Sequence, residues 1–334
     1  MSAAATAIRS EPIRIYPSAI VLGALAVIFG MAAGYSWLGV SRDYGNYLST
    51  WNALTSNADF SQTRFERGYM LASWIAKFEL RMDFAQFYSV LAAAALMIKF
   101  RLLWKLTQAP VVAAIVYLML LFPYYEYTQL RAAVGMALAY YSIDKLVRHQ
   151  FGPFLCLSAL SALFHTSAVV ISLAAIAATL LRKQSPLAVA WIFAAVGLGI
   201  WAAIKGVLIF MQLLNPLVER YVDPSLGIAV PNLLSGEVLL LAILIPVSAV
   251  FIRPWRSWPD KLFFYMSFWS QISLVALYST SAIAFRIRNL FIMSYLLFAF
   301  RFDARFQSRF PGFVLIVTAL WMAYKSVSEG WLLN

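Results

Sequence analysis

Cysteine is almost absent from this chain. Cys156 is the only one in 334 residues, which excludes an internal disulfide framework and any metal site built from several thiolates. Charge is scarce as well: Asp, Glu, Lys and Arg make up 12% of the residues, about half the share found in soluble domains. Acids are outnumbered by bases 14 to 26, a formal net charge of +12. An excess of that size can signal a nucleic-acid partner, but here the basic residues fall in short loops between apolar runs. Membrane topology accounts for them, and no nucleic acid is expected. The chain also lacks a phosphate-cradling glycine loop, an H-E-x-x-H helix and a G-x-S-x-G elbow, the usual signatures of soluble enzymes.

What is present is hydrocarbon. Apolar residues reach 63% and aromatics 16%, with a mean hydropathy of +0.77. Many Trp and Tyr stand near the ends of apolar segments, where interfacial belts lie. Spans of about 20 residues are needed to cross a bilayer. Candidate runs cover 19–40, 84–103, 109–122, 130–146, 187–214, 233–252, 262–280, 287–300 and 313–325. The first is longer than a signal-peptide core and reads as an uncleaved span. The stretch 151–181 would make a straight helix of roughly 46 Å, too long for a core of about 30 Å. It is expected to be a helical hairpin turning near His165.

These runs predict an all-α, polytopic integral membrane bundle with about eleven crossings, within a range of roughly nine to twelve. Residues 1–334 form a single domain, with the N-terminus in the cytoplasm. On that topology the segments 1–18, 99–105, 144–148, 182–183, 253–261 and 301–309 face the cytoplasm. They hold fifteen bases, Lys99 among them, against four acids, the bias the positive-inside rule requires. The external segments are 41–83 and 215–232. Within the first, residues 69–80 place Leu71, Trp74, Ile75 and Phe78 on one helical face, as an amphipathic helix on the outer leaflet would.

Polar residues then collect on the external side. Arg42, Asp43, Glu66 and Arg67 lie in the first external segment, Gln129 and Arg131 open one span, His165 sits at the hairpin turn, and Arg286 and Arg288 open another. An ionisable residue at a membrane surface is by default a functional candidate. The bland alternatives are specific: Arg131 paired with Glu126 to anchor a helix end, Arg286 and Arg288 snorkelling, and His165 as a core histidine. Tyr44, Tyr47, Tyr124, Tyr125 and Tyr127 suit an interfacial belt better than a sugar platform. Several arginines facing one external cavity suit an anion, because the guanidinium fork matches phosphate oxygens. Beside lipid, that anion is expected to be a lipid-linked phosphate. A histidine or carboxylate would deprotonate an acceptor hydroxyl, and arginine would stabilise the departing diphosphate.

Four islands in order resemble the EpsG family of exopolysaccharide polymerases, relatives of the Wzy polymerases. They are Arg42-Asp43-Tyr44 with Tyr47, Glu66-x-Gly68-Tyr69, Gln129-x-Arg131-x-x-x-Gly135-Met-Ala137, and His165-x-Ser167-Ala168. Arg286-x-Arg288 resembles the late arginine of that family. The resemblance implies a glycosyltransferase of the general type-C kind in a bacterial cytoplasmic membrane. It would work on the external face, without cofactor or metal, joining undecaprenyl-diphosphate-linked units. Chain-length regulators and export proteins are implied as partners. On this reading Arg131, His165, Glu66 and Asp43 are the catalytic candidates. Arg42, Tyr44, Tyr69, Gln129, Arg286 and Arg288 are the substrate-binding ones. Two other functions fit the same residues: a transporter or flippase for an anionic lipid-linked glycan, and a membrane O-acyltransferase with His165 as base.

Overall fold

The computed structural model describes residues 17–41, 43–57, 60, 65–185, 258–276 and 281–300, with isolated positions between 188 and 202 and between 312 and 320. Arg42, the external segment 215–232 and the apolar run 233–252 lie outside the described residues, as does most of the run 187–214. Among the described residues every regular element is helical. The order is α1 (Pro17–Gly34), α2 (Tyr44–Ala53), α3 (Arg67–Trp74) continuing into a π-helical turn (Ile75–Glu79), α4 (Phe84–Leu106), α5 (Pro110–Leu120) and α6 (Leu130–Val147). Then come α7 (Phe151–Phe164), a 3₁₀ turn (Thr166–Ala168), α8 (Val169–Leu180), α9 (Trp258–Ala276) and α10 (Ser281–Ala299).

Two of these helices, α1 and α4, are long and apolar enough to cross a membrane. They pack along each other through Gly30-x-x-x-Gly34. A Cβ at Gly30 would lie 2.6 Å from that of Ala93, and one at Gly34 would lie 2.1 Å from Ser89 Oγ. Only glycine permits so close an approach, the small-residue packing typical of helices in lipid. Helix α4 starts with a capping box, in which Asp83 accepts from Gln86 N–H at 2.8 Å and Gln86 accepts from Asp83 N–H at 3.1 Å. Helix α1 stops at Gly34, short of the run to residue 40. The cause lies in the turn that follows: Tyr127 Oη takes the Leu38 N–H at 2.9 Å and donates to the Gly39 carbonyl, and Gly39 sits at φ 99°. That fixes a left-handed position which glycine tolerates.

Helix α6 is the centre of the bundle. Fourteen of its 18 residues are buried, the pattern of a helix surrounded on all sides. It packs on α4, α7 and α8. A run of hydroxyls, Ser142 to Ser158 at 3.2 Å and Ser158 to Ser172 at 2.9 Å, stitches α6, α7 and α8 together. Because Ser158 and Ser172 are equidistant in sequence from His165, α7 and α8 form a hairpin about that residue. Helix α10 docks on α6 through Tyr140 Oη, 2.9 Å from the Leu290 carbonyl and 2.6 Å from Ser294 Oγ.

One expected cytoplasmic residue is elsewhere. Lys99 is 0% exposed and pairs with Glu126, also 0% exposed, at 2.5 Å. Tyr117 Oη joins them at 2.8 Å from Lys99 and 2.9 Å from Glu126. Lys99 stands seven residues before the end of α4, too deep to reach the surface that Lys105 and Arg101 reach. Glu126 is therefore committed inside the bundle and is not the partner of Arg131. Tyr47, Tyr125 and Tyr127 are likewise buried, while Tyr44 and Tyr124 are half-buried. Most of this aromatic group builds the interior instead of an interfacial belt.

Candidate active site

Three helix ends meet at one point. Glu66 is the N-cap of α3, in extended conformation. Arg131 lies in the first turn of α6, and His165 is the C-cap of α7. The Arg131 Nη1 donates to Glu66 Oε2, and His165 Nδ1 lies 3.1 Å from Glu66 Oε1. Each of the three side chains is only partly exposed, between 17% and 20%.

Two glycines make the meeting possible. A Cβ at Gly68 would come 2.7 Å from the Leu163 carbonyl oxygen, and one at Gly135 would come 2.9 Å from His165 Cβ. Gly135 stands four residues after Arg131, one helical turn along the same face. It lets the His165 turn settle directly against α6, below the guanidinium. Gly68 does the same for α3 against α7, two residues past Glu66. The glycines belong to the islands because close backbone approach is what joins the islands in space.

Arg131 is held by more than Glu66. Its guanidinium lies 4.0 Å from the centroid of the Phe65 ring and 5.8 Å from that of Tyr47, both within cation–π range. Helix α2, which carries Tyr47, is fixed by Lys77. That ammonium reaches the carbonyls of Trp51 at 2.6 Å and Leu54 at 3.0 Å at the C-terminal end of α2, where a cation suits the helix dipole. A cation at the N-terminus of α6 is opposed by the same dipole. The locus is doubly positive and attracts an anion, which at present is Glu66.

Burial alone would raise the Glu66 carboxyl. The hydrogen bond from His165 and the charge of Arg131 outweigh it and hold the group down at about 2. Glu66 is thus a carboxylate at neutral pH and can only accept. It follows that His165 Nδ1 carries the donated proton. Burial raises the Tyr47 phenol despite the nearby Arg131, so it stays protonated. The Nε of Arg131 is buried and makes no hydrogen bond, a donor left unspent by Glu66.

A cavity of about 250 Å³ opens beside this cluster, lined by Asp43, Asn46, Tyr47, Phe65, Arg131 and Arg286. The sequence candidates therefore separate. Asp43, Arg131 and Arg286 share the cavity. Glu66 and His165 stand behind Arg131 and do not line it. Arg288 is buried, 1% exposed, and is absent from the cavity wall, whereas Arg286 is exposed. Tyr69 is buried among Tyr47, Phe65 and Phe87 and supports the cavity from beneath. Tyr44 Oη donates to the Gly34 carbonyl at 3.1 Å and braces the external segment on α1. Gln129 is the N-cap of α6, its carbonyl accepting Ala133 N–H at 2.9 Å, and it too stays off the wall. Asn46 and Phe65 were not among the sequence candidates. The signal for Asn46 was its place one turn of α2 after Asp43; Phe65 gave only adjacency to Glu66.

The model of the EpsG family matches residues 19–332. The chain belongs to the EpsG family. Membership links it to exopolysaccharide synthesis. Neither the curated proteins nor the solved structures gave a match. The match spans all four islands and the late arginines, so the residues gathered around Arg131 all fall within the family's extent.

Proposed function

We propose that this protein is the polymerase of an exopolysaccharide pathway. It joins lipid-diphosphate-linked oligosaccharide units, undecaprenyl-linked in a bacterium, on the external face of the cytoplasmic membrane. The chain crosses that membrane about eleven times, in a type-C glycosyltransferase-like bundle. The observation that carries this reading is the cavity shared by Arg131, Arg286 and Asp43, with a guanidinium that still has an unspent donor. Two arginines beside one carboxylate fit a diphosphate leaving group next to an acceptor hydroxyl.

Each side chain then has a task. Arg131 and Arg286 hold the diphosphate oxygens and take up the charge that grows on them as the glycosidic bond breaks. Asp43 accepts the proton of the acceptor hydroxyl. That oxygen forms the new bond to the anomeric carbon, and the bond from that carbon to the diphosphate oxygen breaks with its electron pair leaving on the diphosphate. Phe65, Tyr47 and Asn46 give the sugar two ring surfaces and an amide. Glu66 and His165 position Arg131. The substrate diphosphate competes with Glu66 for that guanidinium, and His165 keeps Glu66 in place when the competition is won.

The test is polymerisation in vitro by the purified full-length protein, given a lipid-diphosphate oligosaccharide with and without chelator. Long products from the wild type, insensitive to chelator, and none from an Arg131→Ala protein that inserts normally are the expected results. Wild-type chain length from Arg131→Ala at equal expression contradicts the proposal. Cytoplasm-facing accumulation of lipid-linked units in a deletion strain points to the transporter instead.

A further inference from the structure

The packing of α1 on α4 differs between its two ends. Beside the external segment, Gly30 and Gly34 press directly onto Ala93 and Ser89. At the other end, the first turns of α1 stand away from the last turns of α4. They leave a groove of about 370 Å³ lined by Ala19, Leu22, Gly23, Met97, Phe100, Arg101 and Trp104. The difference lies in Gly23. A Cβ there would meet nothing within 4 Å, so this glycine vacates space instead of closing a contact. The volume is within the usual range of ligand pockets.

The lining has two chemistries. Ala19, Leu22, Gly23, Met97 and Phe100 give an apolar trough, in which Met97 is itself exposed, and the exposed Ile20 stands next to Ala19 in the chain. At its mouth stand Arg101, which is exposed, and Trp104, 39% exposed. Lys105, the next cation on α4, is already tied to Asp144 at 2.8 Å. Among the described residues Arg101 enters no salt bridge. Its charge faces the groove with no acidic partner among the described residues.

An apolar trough with an arginine and a tryptophan at its mouth matches an acyl chain with an anionic headgroup. We infer that this groove holds one anionic phospholipid of the cytoplasmic leaflet, with its chain along Gly23 and Met97 and its headgroup phosphate on Arg101. The site is at the far end of α4 from the Arg131 cavity and takes a resident lipid, not the glycan carrier. The inference rests on the membrane reading, and carbonate extraction of the wild type from membranes tests that reading separately.

The experiment is native mass spectrometry of the full-length protein in detergent micelles doped with phosphatidylglycerol or phosphatidylcholine. The wild type is expected to keep one phosphatidylglycerol under activation that strips phosphatidylcholine. Arg101→Gln weakens that preference about fivefold, the scale of one basic residue at an anionic surface. Gly23→Leu, which fills empty space, abolishes retention of either lipid, with an unchanged melting temperature as the folding control. Lys183→Gln, an exposed cation off the groove, leaves retention unchanged. Equal retention of both lipids by the wild type overturns the inference, as does undiminished retention by Gly23→Leu. An equal loss in Lys183→Gln would assign the effect to diffuse surface charge and overturn it too.

Discussion

Among the described residues two glutamates pair with lysine or arginine, and the two pairs serve different purposes. Glu126 with Lys99 and Tyr117 is sealed: both charged residues are 0% exposed, and Tyr117 Oη reaches both carboxylate oxygens. Glu66 with Arg131 and His165 stands at the edge of a cavity, and Arg131 retains a buried donor without a partner. A paired charge in an apolar bundle is therefore not in itself a site. Open volume and unspent donors distinguish the pair that can exchange its anion from the pair that only fixes a turn.

Substitution should separate the two pairs, and the largest effect is expected at Arg131. Arg131→Lys keeps the charge but loses the planar fork. Polymerisation should fall by about a hundredfold or more, with the melting temperature little changed, as in vitro product length and thermal unfolding will show. At the sealed pair the effect should fall on the fold. Lys99→Met leaves Glu126 buried and uncompensated, a loss of about 3–5 kcal/mol, seen as poor yield of inserted protein. The double variant Lys99→Met with Glu126→Leu should recover most of that yield. Recovery absent in the double, or normal yield in the single, would mean that this pair is not sealed.

The glycines give a smaller effect. Gly135→Ala forces a methyl to 2.9 Å from His165 Cβ. The backbones must shift, so activity should drop more than stability does. Gly23→Ala, in open space, should change neither. The smallest effect concerns pH. Because Glu66 is held at about 2 against an ordinary 4.5, its contribution to stability is complete above the ordinary value and is lost as pH falls toward the lower one. The gap in melting temperature between wild type and Glu66→Gln should be constant near neutrality and shrink below about pH 4.5. A gap independent of pH would show that Glu66 is not held ionised by its neighbours.

Much of this site was legible in the chain. Arg131, Glu66 and His165 stand out because charge and imidazole are rare among so many apolar residues. Gly68 and Gly135 accompany them at spacings that a close approach requires. Arg288 illustrates what sequence position hides until helical geometry is applied. Residues i and i+2 of a helix do not share a face, so Arg286 and Arg288 could not both line one wall, and only Arg286 does. Lys99 was hidden for another reason. In Ile98-Lys99-Phe100-Arg101 two cations stand two residues apart at the end of a run, and counting cannot separate the one that snorkels from the one that is buried. Its partner Glu126 is 27 residues away, a tertiary pairing with no local pattern. Tyr69 failed similarly, since a tyrosine beside a charged motif can be wall or foundation, and the packing of α2 on α3 decides.

The most direct test of the central claim is the binding of a lipid diphosphate by the full-length protein in micelles, measured for the wild type and for Arg131→Ala. The account predicts binding about tenfold weaker or worse without the guanidinium, the scale of one charged hydrogen-bonded contact, and unchanged binding in the Lys99→Met, Glu126→Leu double variant. Equal affinity of wild type and Arg131→Ala would contradict it.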